Sequence, residues 1–289
     1  MIYISSDCVK RTNATIADIV EEYARNGISH IELSGGTKYS DTIIKDLIKL
    51  KKEYQLEYTC HGYFPPPRED FVINLASCDD KIYEESTTFY QNTVELMAEV
   101  GIHHLSIHAG FFTQVTKEEI GGSIQGVMIY PKLEAEQRFW TAYSQLSKLT
   151  KQKHISLYLE NNVLSKQNYE NFNRNNYFMM TNAQEITQNY KQYAFQLLLD
   201  IGHLNVSANV LGYDILEELM QVLPITKWLH ISANDGVSDM HCIMNRENRL
   251  YEFLYQYGLD QSIPITIEGH GEVQALIENR DILQQLYRG

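Results

Sequence analysis

Apolar positions along the chain switch repeatedly between two spacings. Short continuous runs of strand length alternate with longer stretches in which apolar residues recur every three or four positions, the spacing of a helix face. Met1–Ser6 is the first run. Ile16, Ile19, Val20, Tyr23 and Ala24 form the first helical stripe, with Asn13 as its predicted N-cap and Gly27 as its stop. Ile28–Ser34 predicts a second strand ending in Gly35-Gly36, and Asp41 is then expected to cap a helix carrying Ile43, Ile44, Leu47 and Ile48. Leu56–Cys60 predicts a third strand, followed by the loop Pro65-Pro66-Pro67 and a helix over Tyr83–Val100. Further strands are expected at His104–His108, Ile155–Leu159, Phe195–Leu199, Trp228–Ser232 and Ile263–Ile267. Their helices fall at Glu134–Leu149, Ala183–Gln192, Tyr213–Val222, Asn248–Tyr257 and Val273–Leu286.

Eight strand-then-helix units without a linker, repeat or low-complexity segment close most economically into an α/β fold of one domain, a (β/α)₈ TIM barrel over residues 1–289. An open doubly wound sheet is the second choice, but no Gly-x-Gly-x-x-Gly follows the first strand. Two loops after strands are long, Phe111–Pro131 and Val163–Thr181. On a barrel they would lie over the active-site end, and their Gly, Asn, Tyr and Met content suggests mobility and aromatic contact.

A barrel aims all its strand ends at one mouth, so the polar residues at those ends become the candidate chemistry. Strand three gives His61, strand four His108, strand five Glu160, and strand six Asp200 with His203 three residues on. Strand seven gives His230, with Asp239 and His241 in the loop beyond it, and strand eight gives Glu268. Glu32 stands two residues before the end of strand two. Each has an ordinary reading when taken alone. Asp200, for instance, reads as a helix cap with Gly202 for the turn. Together they would crowd carboxylates at one place, where they repel unless cations hold them. Imidazole and carboxylate donors without thiolate suit Zn²⁺, Mn²⁺ or a related divalent ion. Nine donors exceed one ion's needs and suit two or three, with Glu160 as a bridge.

Composition narrows the picture further. With 44% hydrophobic residues the chain can bury a full core, and no stretch approaches the roughly 20 apolar residues of a membrane span. The start, Met1 to Arg11, has no basic leader followed by a long apolar region, so a cytoplasmic protein is expected. Cysteines 8, 60, 78 and 242 are scattered, which fits reduced thiols rather than disulfides or a thiolate zinc site. A net charge of −13 makes a nucleic-acid partner unexpected, whereas carboxylates kept for metal would push the balance this way.

The motifs resemble the xylose-isomerase-like TIM barrels, the superfamily of sugar phosphate isomerases/epimerases and endonuclease IV. They are His61-Gly-Tyr-Phe with Ile73-Asn-Leu-Ala-Ser downstream, Ile107-His-Ala-Gly, Leu159-Glu-Asn and Leu199-Asp-Ile-Gly-His. His230-Ile-Ser-Ala-Asn-Asp-Gly-Val-Ser-Asp-Met-His and Ile265-Thr-Ile-Glu complete the ordered set. The resemblance implies a core metal site from Glu160, Asp200, His230 and Glu268. It matches His61 and His108 to a second site of the endonuclease IV-like branch, and His203, Asp239 and His241 to a third. It also implies a homo-oligomer, although no segment marks an interface.

Two activities follow from this resemblance. The first is a divalent-metal-dependent isomerase or epimerase of a small sugar, sugar phosphate or polyol, acting through a metal-stabilised enediolate. Glu160 and Glu268 would move the proton as base and acid, and His203 would orient a substrate oxygen. The second is an endonuclease IV-like zinc phosphoesterase with a di- or trinuclear centre. A non-catalytic, ligand-binding barrel comes third, since it would have lost site residues. The chain departs from both prototypes. Strand two lacks the long basic and aromatic loop of the endonuclease branch, Cys-Ile-Met-Asn-Arg replaces the glycine pattern after His241, and no Arg follows His230 until Arg246. Arg68 and Lys38 are the nearby cations available for a phosphate, and each also reads as a surface charge.

Overall fold

A computed structural model describes residues 1–11, 13–119, 122–125 and 128–288. Its strands are β1 (Ile2–Ser5), β2 (His30–Leu33), β3 (Glu57–His61), β4 (His104–His108), β5 (Ser156–Glu160), β6 (Gln196–Asp200), β7 (Thr226–Ile231) and β8 (Ile265–Ile267). They close into a barrel in sequence order, with β8 returning to β1 and neighbouring strands parallel. The helices are α1 (Ile16–Arg25), α2 (Ile43–Tyr54), α3 (Asp80–Val100), α4 (Lys132–Gln152), α5 (Lys166–Asn171), α6 (Ala183–Tyr193), α7 (Ile201–Leu211), α8 (Ile215–Val222), α9 (Arg249–Tyr257) and α10 (Val273–Leu283). The expected (β/α)₈ barrel is therefore the fold. Among the described residues, no helix is long and apolar enough to cross a membrane.

The strands read as continuous apolar runs because both faces are covered. Leu197 and Leu199 belong to the large core between strands and helices. Leu198, on the other face, packs inside the barrel with Tyr3, Tyr158 and Trp228. Side chains alternate along a strand, so a residue two positions beyond an inward one also points inward. Glu160 follows Tyr158, Asp200 follows Leu198, and His230 follows Trp228 in this way. Register then sets the groups side by side, with His108 opposite Glu160 and Asp200 opposite His230.

Local chemistry moved several helix starts. Thr15, not Asn13, caps α1; its hydroxyl accepts the Asp18 N–H, and Asp18 reaches back to the Thr15 N–H to complete a capping box. Asn13 sits before it with φ 70°. Thr42 takes the cap position of α2, while Asp41 instead accepts bonds from Tyr39 and Arg68. The larger correction is α7, which begins immediately after β6 where the sequence predicted no helix before Tyr213.

The two long loops form one lobe. Thr113 pairs with Ile129 and Phe111 with Phe178, and the Phe112 N–H bonds the Tyr177 carbonyl at 2.7 Å. Val115, Ile124 and Phe172 give the lobe a small apolar core of its own, and α5 lies within it. Positions 120, 121, 126 and 127 of the first loop lie outside the described residues.

Candidate metal centre

Glu160, at the end of β5, is the hub. Its Oε2 lies 3.4 Å from His61 Nδ1 and 3.5 Å from His108 Nε2. Its Oε1 lies 3.5 Å from His230 Nδ1 and 3.5 Å from His203 Nδ1. The carboxylate is fully buried, yet neither oxygen has a hydrogen-bond partner among the described residues. A buried ionised carboxylate ringed by imidazoles at such distances is under-satisfied as a hydrogen-bond acceptor and well disposed as a ligand.

One ligand atom from each of Glu160, Asp200, His230 and Glu268 lies within 4.8 Å of the others. The same holds for His61, His108 and Glu160. Each group has the donor types of a divalent zinc or manganese site, and Glu160 belongs to both. Asp200 Oδ2 and His230 Nδ1 are likewise buried without a hydrogen-bond partner. The residues present therefore fit divalent metal at the mouth, with His108, 42% exposed along its side chain, at the open edge.

Asp200 ends β6 and caps α7, its Oδ1 accepting the His203 N–H at 2.6 Å. Asn161 joins this strand end to β5: it donates to the Asp200 carbonyl at 3.0 Å and accepts the Asp200 N–H at 2.8 Å. The Asn161 carbonyl also lies 2.9 Å from His203 Nδ1. A carbonyl can only accept, so the proton sits on Nδ1 and His203 Nε2 is the atom left for a ligand. Gly202 is helical rather than a turn residue. It is small because a Cβ there would meet Ser232 Oγ at 2.6 Å.

The third expected set is arranged differently. After β7 the chain folds back, with Ala233 and Cys242 exchanging N–H···O bonds of 2.8 Å, and this returns Asp239 and His241 to the mouth. One oxygen, Asp239 Oδ2, stands 3.2 Å from His203 Nε2 and 2.9 Å from His241 Nε2. The three residues are brought together, but as an Asp between two imidazoles rather than as an open donor group.

The imidazoles and carboxylates of the cluster set one another's protonation. Burial would raise the Glu160 carboxyl, but His108, His61 and His230 outweigh it and hold it at about 2. Glu268 is likewise held well below the carboxylate range despite burial, chiefly by His230. Burial lifts Asp200 to about 8 against the pull of His203, with Glu268 and Glu160 adding to the rise. Against their own burial, His203 and His230 are raised well above the usual imidazole value by the carboxylates around them. Against burial too, His241 is raised to about 9 by Asp239. Protons on imidazoles and on Asp200 thus balance the carboxylates.

Some participants went unrecognised in the sequence. Asn161 sits inside the motif Leu159-Glu-Asn, but its backbone-joining role needs the neighbouring strand. His270 stacks on His241 with ring centroids 5.1 Å apart. Glu32, placed before the end of strand two, has its Oε2 3.1 Å from His230 Nε2. Arg68 is engaged on the surface, 2.5 Å from Asp41 and over the Tyr39 ring.

No curated protein matches the chain by sequence. Among solved structures, a D-tagatose 3-epimerase-like protein superposes with TM-score 0.71 at 18% identity, covering 99% of this chain and 96% of that one. The 3-keto-D-glucoside 4-epimerase of E. coli superposes with TM-score 0.64 at 14% identity, covering 99% and 98%. Endonuclease IV from Thermus thermophilus superposes with TM-score 0.59 at 15% identity, covering 99% and 98%. At such identities these likenesses concern the fold. Residues 20–258 match the family described as xylose isomerase-like TIM barrel, and the chain belongs to that family.

Proposed function

We propose that this chain is a divalent-metal-dependent isomerase or epimerase acting on a small sugar or related polyol. The carrying observation is the charge make-up of the mouth. Among the described residues, the ion-pair partners of Glu160, Asp200, Asp239 and Glu268 are all histidines. These carboxylates offer ligation and proton transfer, and they meet imidazoles rather than a guanidinium or ammonium that could grip a phosphate. Such a site suits a neutral, oxygen-rich molecule, and a sugar phosphate would depend on metal for its charge.

A divalent ion held by Glu160, Asp200, His230 and Glu268 would polarise a carbonyl and its adjacent hydroxyl as a Lewis acid. Glu268, whose side chain is 10% exposed against 0% for Glu160, is the more open carboxylate and takes the carbon-bound proton. Glu160 faces it from β5 and would return a proton drawn from solvent, since its own carboxyl is held ionised. His203 orients a substrate oxygen through Nε2, its Nδ1 being held by the Asn161 carbonyl. The presence of sugar epimerases among the structural neighbours agrees with this reading.

The test is incubation of metal-loaded protein with a panel of ketoses and aldoses in D₂O. Deuterium is expected beside the carbonyl of at least one sugar, and Glu268→Gln should abolish it. No incorporation across the panel would sink the proposal.

A second reading, a zinc phosphoesterase with a di- or trinuclear centre, has its own support. Glu160 Oε2 faces His61 and His108 while Oε1 faces His230, the disposition of a bridging ligand. Cleavage of an abasic-site duplex or a simple phosphodiester, lost in Glu160→Gln, would favour it over the first.

A further inference from the structure

We infer that Glu32 is a positioning residue, holding His230 by Nε2 so that Nδ1 faces the candidate metal centre. The inference rests on the metal reading of the mouth. Glu32 lies on β2 in register with Thr59 of β3, and its side chain enters the barrel with the residue only 1% exposed. Its Oε2 is 3.1 Å from His230 Nε2, 3.1 Å from Thr266 Oγ1 and 3.5 Å from Thr59 Oγ1.

Donor logic sets the direction of these bonds. The Trp228 indole N–H can only donate, and it does so to Thr266 Oγ1 at 2.9 Å. The Thr266 hydroxyl has one hydrogen, which is then free for Glu32 Oε2. An oxygen that accepts from Thr266 also accepts from His230, so the proton of that bond sits on Nε2. Nδ1 is left facing Glu268 Oε1 at 3.1 Å and Glu160 Oε1 at 3.5 Å, inside the four-donor group. An imidazole held by a carboxylate on one nitrogen and offered to a metal on the other is a recurrent second-layer arrangement.

Packing does not account for a carboxylate here. The interior layer around it holds Tyr3, Tyr158, Leu198 and Trp228, and Glu32 Oε1 has no hydrogen-bond partner among the described residues. An apolar side chain of similar size would fill the space without burying a charge. Glu32 also lies within ligand reach of His61 and His230, so direct ligation is the competing role.

Wild type, Glu32→Gln and Glu32→Leu separate the two roles. Metal affinity is read by cobalt titration against a competing chelator, ion number by elemental analysis at saturating zinc, and folding by melting of the metal-free proteins. Positioning predicts that affinity falls about 10–100-fold, more for Leu than for Gln, which keeps an acceptor oxygen. It also predicts unchanged ion number at saturation and, for Glu32→Gln, which keeps an acceptor for His230 and Thr266, metal-free melting close to wild type. Unchanged affinity in the variants would overturn the inference, as would the loss of one ion at saturation, which would make Glu32 a ligand. Should Glu32→Leu not fold, the near-isosteric Glu32→Gln decides alone. A wild type that binds no divalent ion would remove the metal reading itself, whereas a binding wild type matched by its variants removes only this inference.

Discussion

Asp200 and His203 are joined twice over. The Asp200 carboxylate accepts the His203 backbone N–H at 2.6 Å through Oδ1, and its Oδ2 stands 4.0 Å from the His203 imidazole Nε2. One side chain therefore caps α7 and presents a donor at the mouth. The cap and the site were rival readings of this pair in the sequence; the structure shows the cap and leaves Oδ2 facing the mouth, where the proposed metal would bind.

These two duties separate by substitution. Asn caps a helix as well as Asp but is a poor metal ligand, whereas Ala does neither. Asp200→Asn is expected to leave metal-free stability above that of Asp200→Ala by about 1 kcal/mol, while both lose metal affinity. Urea denaturation and metal titration of the pair check this, and equal stability of Asn and Ala would contradict the cap.

The hub position of Glu160 has a counting consequence. It belongs to both donor groups, whereas His108 belongs to one. His108→Ala is therefore expected to lower the metal content by one ion, and Glu160→Gln to affect both groups. Elemental analysis after equilibration decides it, and identical losses in the two variants would argue against a shared carboxylate.

Metal binding should be coupled to protons. Asp200, at about 8, and His230, raised well above the usual imidazole value by the carboxylates around it, hold protons in the metal-free protein near neutral pH. Ligation requires the deprotonated forms, so the proton belongs to the free state and binding releases it. Raising the pH removes the competitor, and apparent affinity is expected to climb from neutral pH through pH 8. Calorimetry in buffers of different ionisation enthalpy would count the protons. A pH-independent affinity with no proton release would be inconsistent with these shifts.

Gly202 offers a test of close packing. In an ordinary helix interior Gly→Ala stabilises by about 1 kcal/mol. Here a Cβ would stand 2.6 Å from Ser232 Oγ and 3.2 Å from both Asn234 Nδ2 and Asp200 Oδ1. Gly202→Ala is expected to destabilise by about 1–3 kcal/mol, with part of the loss recovered when Ser232→Ala is added. A stability gain from the single substitution would show that the contact is soft.

The barrel was legible because apolar runs and helical stripes alternate with few interruptions from β1 to α10, and the mouth was legible because a parallel barrel turns strand ends into neighbours. What stayed hidden has physical causes. Helix α7 is buried on most sides, with Ile201, Leu204, Val206 and Ala208 all inside. It starts on Asp200 with no intervening loop, and with so much of it buried it lacks the amphipathic stripe that marks a helix. The caps of α1 and α2 were misplaced because several oxygen-bearing residues compete within a few positions, and only backbone geometry chooses among them. Glu32 could not be assigned a partner because His230 lies 198 residues away in sequence. The motif containing Asn161 was visible, but its bonds to Asp200 depend on strand pairing. His203, Asp239 and His241 were expected to form a set, yet their convergence on one oxygen, Asp239 Oδ2, depends on the path of the loop after β7.

The most direct test of this account is the number of divalent ions per chain in the protein equilibrated with zinc or manganese and freed of excess. A centre in which Glu160 serves two donor groups requires at least two ions, bound together and released together in Glu160→Gln. Zero ions, or a single ion that persists in Glu160→Gln, would contradict it.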